Sequence, residues 1–541
     1  MSLTKASFSM ISNAPINVMD YGAVGDGTTN DTAAINAAIT AANTAGGNIV
    51  FSSMPHLITS PILMQSNVQL IFTNTLTCSG MSAYGSTEID HSAVLFLGTS
   101  VLTSALTVNG VSGDLTVTVA SGSSFSVGDM IVIEDSSYFG SGTSAGVNSS
   151  LARVMNVATN VLTIDNPLPT AFPTATSIVR KVNLIQNASV SIATIAGAPY
   201  QGVAFQWARH CTVSDTEFNP IGKDAVYFHS AFGNFATNVI ARNPQSATTP
   251  YGYGCLFDFG ASDNILSDSY FEGIREISVG EYGRRNIIKN NRIINPIDSG
   301  INTHGLGATD TLIEGNIIID AAQYSIAIGQ VAPSGKAVDA RTVVKNNIIL
   351  TSAGYGIREV QYSPGTNIAS DTVIEGNVIR YGSTDAIYIG GAGVSTDVTN
   401  PMIINNKIIS SGGNGITIET VSAQNVVIQG NRIDSPTTTG ILLNATGNNI
   451  NVENNTIFNA GVYGIRNYAE GPRIIINGNI INTAGTANYL NVGYQAPTTG
   501  TWQKGDVVPN VANVSAGANV GWICTTAGTP GTWKSMGTIA S

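Results

Sequence analysis

The feature that most limits what this chain can fold into is a repeat running from Asn286 to Asn482. Eight short apolar–Asn–apolar segments recur there, beginning IIKNNRII, LIEGNIII, VVKNNIIL and VIEGNVIR. The register continues through IINNKIIS, VIQGNRID, VENNTIFN and IINGNIIN. The second polar residue of each is Asn291, Asn316, Asn347, Asn377, Asn406, Asn431, Asn455 and Asn479, at intervals of 24 to 31 residues. Two residues after every one stands an isoleucine, from Ile293 and Ile318 through to Ile457 and Ile481. A period in this range marks a stacked solenoid, and short, β-branched, alternating segments make the stacked unit a strand. A further strand follows in each copy, often opened by Gly-Ile, as at Gly300-Ile301, Gly356-Ile357, Gly415-Ile416, Gly440-Ile441 and Gly464-Ile465. Each copy therefore reads as one coil of a parallel β-helix, with neighbouring strands ~4.8 Å apart. The isoleucines then form one core column, and the asparagines a side-chain amide ladder beside it. The leucine spacing and helical half of a leucine-rich repeat are absent.

Only 11% of the residues are charged and the formal net charge is −11. That balance argues against nucleic acid or an anionic membrane surface as a partner. Cys78, Cys211, Cys255 and Cys524 are scattered, with no CxxC pair and no histidine at zinc spacing, so they read as core residues. No metal or cofactor is expected. The N-terminus lacks a signal peptide pattern and no apolar run is long enough to span a bilayer, which predicts a soluble protein without membrane insertion.

Residues 1–15 read as a lead-in. Asp31 and Thr32 can cap a helix whose apolar face is Ala34, Ile35, Ala38, Ile39 and Ala42, with Gly46-Gly47 as its stop. A helix there would cover the open end of a solenoid. The run Asn17-Val18-Met19-Asp20-Tyr21-Gly22-Ala23, with Gly25-Asp26-Gly27 and Asp31-Thr32, resembles the opening motif of the pectate-lyase-like β-helix superfamily. Gly46-Gly47, Pro61-Ile62 and Asn67-Val68 continue the likeness. That superfamily includes pectinases, bacteriophage tailspikes and other polysaccharide-degrading proteins. The resemblance implies an all-β fold: a right-handed parallel β-helix with an N-terminal capping helix and first coils over 16–100. Segments such as LTVTVA, MIVIED and VLTID read as a small inserted β-domain over 101–181, similar to those of phage tailspikes. The main helix is then expected over 182–495. A C-terminal β-module over 496–541 holds Trp502, Trp522 and Trp533 and resembles modules of phage tail proteins and some carbohydrate-active proteins. Its tryptophans suit either sugar stacking or a core and trimer contact.

Alternation sorts the outward residues. Lys289, Glu314, Lys345 and Glu375 fall on successive coils with alternating sign and read as a neutralising ladder. Aligning Val226, Cys255, Ile274 and Ile301 as inward residues places His229, Asp258 and His304 in one outward column, with Tyr227 and Arg275 in another. Asp224, Glu272, Glu281 and Asp298 lie nearby. Glu276 and Glu359 both follow Gly-Ile-Arg, and alternation points them inward, where a carboxylate needs a partner or a raised pKa. Glycoside hydrolysis needs two carboxyl groups, ~5–5.5 Å apart for retention and ~6.5–9.5 Å for inversion. The expected catalytic pair is drawn from Asp258, Glu272, Glu276 and Asp298, with His229, Tyr227, Arg275 and His304 positioning the sugar. Glu359, Asp385 and Glu419 are the next candidates.

The resemblance implies a tailspike-like depolymerase that hydrolyses a bacterial capsular or O-antigen polysaccharide. Apolar outward positions late in the coil, such as Leu442 and Tyr388, predict a homotrimer. It would act on the virion tail, attached through a phage tail or baseplate protein and made in the host cytoplasm. Two other readings stay open. A lyase on a uronic-acid polymer would use His304, Lys223 or a tyrosine as base. A non-catalytic adhesin would bind glycan through the C-terminal tryptophans.

Overall fold

The computed structural model describes residues 15–541 apart from 82–90, 137–147, 244–251, 304–307, 330–340, 361–367, 391–396, 469–473, 492–495, 499–503, 511–514 and the single positions 370, 486, 497, 506, 529 and 541. It divides into two compact units, Met1–Ile293 and Ile294–Ser541. Each is built mainly from coils of parallel strands that fall in two sheets. Sheet 1 carries the asparagine repeats, and sheet 2 carries the strands that Gly-Ile opens.

In the second unit the repeat segment is a corner between two strands rather than one strand. Val343–Lys345 and Ile348–Ser352, for example, are joined by Asn346-Asn347. The residue before each ladder asparagine is left-handed: Gly315, Asn346, Gly376, Asn405, Gly430, Asn454 and Gly478 have φ between 56° and 68°. Asparagine and glycine adopt this conformation at least cost, which accounts for the recurring NN and GN pairs. They alternate for a steric reason. A Cβ on Gly376 would stand 2.6 Å from Oδ1 of Asn346, and Gly430 and Gly478 meet Asn405 and Asn454 in the same way.

The ladder itself is continuous through this unit. Nδ2 of Asn316 donates to Oδ1 of Asn347 at 3.0 Å, and the same bond recurs through Asn377, Asn406, Asn431 and Asn455 to Asn479 at 2.9–3.0 Å. Each Oδ1 also accepts the preceding rung's backbone N–H, as Asn347 does from Asn316. From Asn347 to Asn479 each Nδ2 bonds a carbonyl as well, Asn347 donating to Ile313. The buried amides are thus satisfied on both ends. Beside them Ile318, Ile349, Ile379, Ile408, Ile433 and Ile457 form the buried core column. On the outer surface Lys345 pairs with Glu314 at 3.2 Å, as the alternating charges predict.

The first unit has a second, shorter ladder, Asn234–Asn264–Asn286, with amide contacts of 3.1 and 3.2 Å. Its sheet 2 points Phe96, Phe205, Phe228 and Phe257 into the core as a stack with centroids 4.5–5.0 Å apart. Between coils, a six-stranded antiparallel sheet spans Thr99–Asn183 around its own core of Val117, Ile131, Ile133, Val154, Leu162 and Val179. It packs on turns that follow sheet 2. Ser149 Oγ donates to the Phe259 carbonyl at 2.6 Å, and Arg284 Nη1 to the Ser149 carbonyl at 3.1 Å.

The capping helix runs Thr32–Thr44 and buries Ile35, Ala38, Ile39 and Ala42. Asp31 precedes it, yet its side chain caps nothing in the helix. It accepts instead from Val24 N and Gly25 N, and lies 2.6 Å from His56 Nδ1, whose Nε2 meets Ser52 Oγ at 2.7 Å. The aspartate ties the opening motif to the first coil, a demand that outranks the helix end. All four cysteines are free and buried. The C-terminal module holds a three-stranded antiparallel sheet of Val507–Pro509, Gly521–Thr526 and Thr532–Ser535.

Candidate functional site

The expected column in the first unit changes register at one strand. Val226 pairs with Cys255 as aligned, but Cys255 pairs with Ile277, not Ile274. Gly273 misleads the eye: it is left-handed, φ 61°, and forms a corner like Gly376, so Gly273-Ile274 does not open a strand. Three consequences follow for the predicted residues.

Glu272 leaves the site. It ends Tyr270–Glu272 on sheet 1, accepts from Tyr270 OH at 3.0 Å and lies 3.7 Å from Arg242, so it does not pair with Asp258 on sheet 2. Arg275 and Glu276 move to the start of sheet 2. Arg275 lies over the Tyr253 ring at 5.4 Å, and Glu276 is buried immediately before Ile277. Asp258 stands three residues beyond Cys255, and so four strand positions along from Glu276, a distance of ~13 Å at the usual strand rise. That is too wide for a carboxylate pair. Asp224 and Glu276 are instead the two carboxylates whose charges hold the Tyr253 hydroxyl above its ordinary range, after burial as the main cause. Lys223 joins them, donating to Tyr200 OH at 3.0 Å and lying 3.9 Å from Asp224.

Tyr227, His229 and Asp258 do come together, in a buried setting. Tyr227 is 0% exposed and packs with Leu95, Ala204, Tyr253, Leu256 and Phe259. His229 stands opposite Asp258 and is flanked by the rings of Tyr227 and Phe259, 5.6 and 4.6 Å away. Burial and the Lys223 charge push its pKa down to about 3, so it is neutral near pH 7. Gly280 makes room for the Asp258 carboxylate, since a Cβ there would lie 2.8 Å from Oδ1. The middle of this outward face is apolar and buried, between one charged end at Lys223, Asp224, Arg275 and Glu276 and another at His229 and Asp258. His304 and Trp502 lie outside the described residues. Trp522 and Trp533 are half-buried in the C-terminal sheet, opposite Ser535 and Cys524, and Trp533 Nε1 donates to the Pro530 carbonyl at 3.0 Å.

The second unit presents a different outward face on sheet 2. Its strands Ile326–Ile328, Ile357–Val360, Ile387–Gly390 and Ile416–Gln424 are in register. Two residues before each inward isoleucine stand Tyr324, Tyr355, Asp385 and Asn414, all half-buried. One residue after stand Ala327, Arg358, Tyr388 and Thr417. The rings of Tyr324, Tyr355 and Tyr388 follow one another at 5.9 and 4.8 Å. Asp385 accepts from Thr417 Oγ1 and Asn414 N, both at 2.6 Å. The exposed Glu419 accepts from Tyr388 OH at 3.0 Å and Asn444 Nδ2 at 3.3 Å. Burial, then the Glu419 charge and hydrogen bond, raise the Tyr388 pKa, so its hydroxyl keeps its proton. Asp298 belongs to this unit too. It sits half-buried at the sheet margin, its carbonyl accepting from Gln323 N at 2.8 Å beside Tyr324.

Glu359 is inward as alternation predicts, in the column of Ile328 and Ile389, and accepts from Thr372 Oγ1 at 3.2 Å. Tyr324, Tyr355, Asn414 and Thr417 were not among the predicted site residues. Their signal was the position two before, or one after, the isoleucine of each Gly-Ile, Ala-Ile or Ser-Ile step. Among the described residues no group of three or more His, Cys, Asp or Glu side chains is placed to hold a metal ion, and no helix is long and apolar enough to cross a membrane.

Stacked coils, an inward isoleucine column and an amide ladder define a parallel β-helix with a polar, aromatic outer face. The family model described as "Right handed beta helix region" matches residues 181–333 and 339–496, and the chain belongs to that family. A model described as "Rhamnogalacturonase A/epimerase, pectate lyase-like" matches residues 15–82, over the capping helix and first coils. Among solved structures, the tailspike gp61 of Pseudomonas phage phi297 is similar at 13% identity and a TM-score of 0.53, with 97% of each chain covered. The catalytic unit of a thermostable GH87 α-1,3-glucanase from Streptomyces thermodiastaticus is similar at 13% identity and a TM-score of 0.51. That match covers 88% of this chain and 69% of the other. These likenesses establish the fold. No curated protein sequence matches the chain.

Proposed function

We propose that this protein is a tailspike-like depolymerase that binds a bacterial surface polysaccharide along sheet 2 of the second unit and hydrolyses it there. The observation that carries this reading is the row of Tyr324, Tyr355 and Tyr388 with Asp385 and Glu419 on the same outward face. Tyrosine faces stack on sugar rings, and hydrolysis requires two carboxyl groups. Asp385 lies before its strand's inward isoleucine and Glu419 beyond its own, with Tyr388 and Thr417 between them. The Asp385 carboxylate is held at Thr417 Oγ1, two strand positions from Glu419 and so ~7 Å by the usual strand rise, a separation that leaves room for an attacking water, as inversion requires. Asp298 and Tyr324 extend the track at one end. The Tyr388 hydroxyl, kept protonated, serves as a donor to substrate or to Glu419 rather than as the base of a lyase.

The reading includes a homotrimer on a phage tail. On the outer side of sheet 1 in the second unit Ile348, Met402, Ile475 and Ile480 are between 37% and 62% exposed, interspersed with Lys407, Arg432 and Asn451, and a second and third copy would cover these apolar positions. The adhesin alternative rests on Trp522 and Trp533, which occupy one face of the C-terminal sheet.

The test is incubation with a panel of purified capsules and O-antigens. New reducing ends without the ultraviolet absorbance of an unsaturated uronate are the expected outcome. Such absorbance would assign a lyase, and binding with neither product would leave an adhesin.

A further inference from the structure

The outward column of sheet 2 in the second unit runs Arg358, Tyr388, Thr417, Leu442, Arg466, each residue directly opposite the next. Its two cations are held alike. The Arg358 guanidinium lies 4.6 Å from the Tyr324 ring centre and 5.8 Å from that of Tyr355. The Arg466 guanidinium lies 4.8 Å from Tyr463 and 4.3 Å from Tyr468. Stacking on aromatic rings fixes a guanidinium's plane, and its planar fork of N–H donors fits a carboxylate or phosphate with two parallel bonds. Four coil steps separate the two arginines, roughly 19 Å at the ordinary strand spacing. Between them the charge has the opposite sign, since Asp385 and Glu419 flank Tyr388 and Thr417.

On the reading that a glycan lies along this face, the geometry points to an acidic polysaccharide as its ligand. Its anionic groups, carboxylate or phosphate, recur about 19 Å apart, one at each clamped arginine. The sugars between them are neutral. An anion over the centre would meet two carboxylates and be repelled, whereas at the ends it meets an oriented cation. This placement also bears on the chemistry. Elimination by a lyase needs a uronate at the cleaved linkage, and the centre of this face excludes one. Hydrolysis of a neutral glycosidic bond carries no such demand.

The experiment measures binding of the full chain to an array of acidic and neutral bacterial polysaccharides. The acidic members are presented native, carboxyl-reduced and dephosphorylated. Wild-type protein should bind acidic members, with affinity that falls as salt rises. Carboxyl reduction should weaken binding at least ~10-fold if the anion is a carboxylate, and dephosphorylation should do so if it is a phosphate. Arg358→Gln and Arg466→Gln should each weaken binding by a similar factor and flatten the salt dependence, with the melting temperature unchanged. A merely structural role would move the melting temperature and leave the salt dependence alone. If a variant fails to fold, the charge-stripped glycans on wild-type protein still decide. Charge-stripped or neutral polymers bound and cut as well as native acidic ones would overturn this inference and leave the depolymerase reading standing. Failure to bind any polysaccharide would overturn both.

Discussion

Among the described residues His229 has a clear pH signature. Its pKa falls from an ordinary 6.5 to about 3 in the folded chain, because burial beside Phe259 and the Lys223 charge disfavour the imidazolium. Between those values the unfolded chain holds a proton that the folded chain does not. Stability therefore rises with pH across this window and is lost on acidification from about 6.5 toward 3, by at most ~1.4 kcal/mol per pH unit. Replacing His229 by Phe should flatten that part of the curve, measured by denaturant unfolding at a series of pH values. A variant with the wild-type slope would show that another group dominates. Single residues also explain where the site escaped a reading of the sequence. Gly273-Ile274-Arg275-Glu276 and Gly356-Ile357-Arg358-Glu359 look alike, yet only the second opens a strand. Gly273 serves a corner, and that distinction depends on Asn243, whose Oδ1 occupies the place of a Cβ on Gly273. Such a contact between distant residues has no local signature. Tyr324 and Tyr355 were missed for a simpler reason: in the sequence they are ordinary tyrosines, and only stacked coils bring their rings to 5.9 Å.

At the scale of the element, much more was legible. The asparagine ladder and isoleucine column could be written down from spacing because every coil repeats the same steric problem. What spacing could not reveal was the corner, since NN and GN pairs interrupt a strand without changing its apolar alternation. Ile408 is 0% exposed and in register with Ile379 and Ile433. Ile408→Ala should cost about 2–5 kcal/mol by leaving a cavity, while the folded fraction cleaves glycan at the wild-type rate. Loss of turnover without loss of folding would contradict a structural role. The corner makes its own demand. Gly430→Ala should destabilise by at least about 1–2 kcal/mol, since alanine must adopt a left-handed φ of 67° against the Asn405 amide. A melting curve no different from wild type would refute the steric origin of the Asn–Gly alternation.

For the whole molecule, two expectations follow from surfaces rather than cores. The exposed Ile348, Met402, Ile475 and Ile480 on sheet 1 should be covered by further copies of the chain, so light scattering at micromolar concentration should return three times the chain's mass. A single chain's mass would remove the trimer. Where the chemistry resides sets two parts of the chain against each other. The direct measurement is turnover of one cleaved polysaccharide by Asp385→Asn, Glu419→Gln and Asp258→Asn, beside wild type, with melting temperature and oligomeric state recorded for each. The first two should lose turnover by about 10²-fold or more while remaining folded, and Asp258→Asn should cut at close to the wild-type rate. Near wild-type turnover in the Asp385 and Glu419 variants, with activity lost in folded Asp258→Asn, would place the active site in the first unit and contradict its placement in the second.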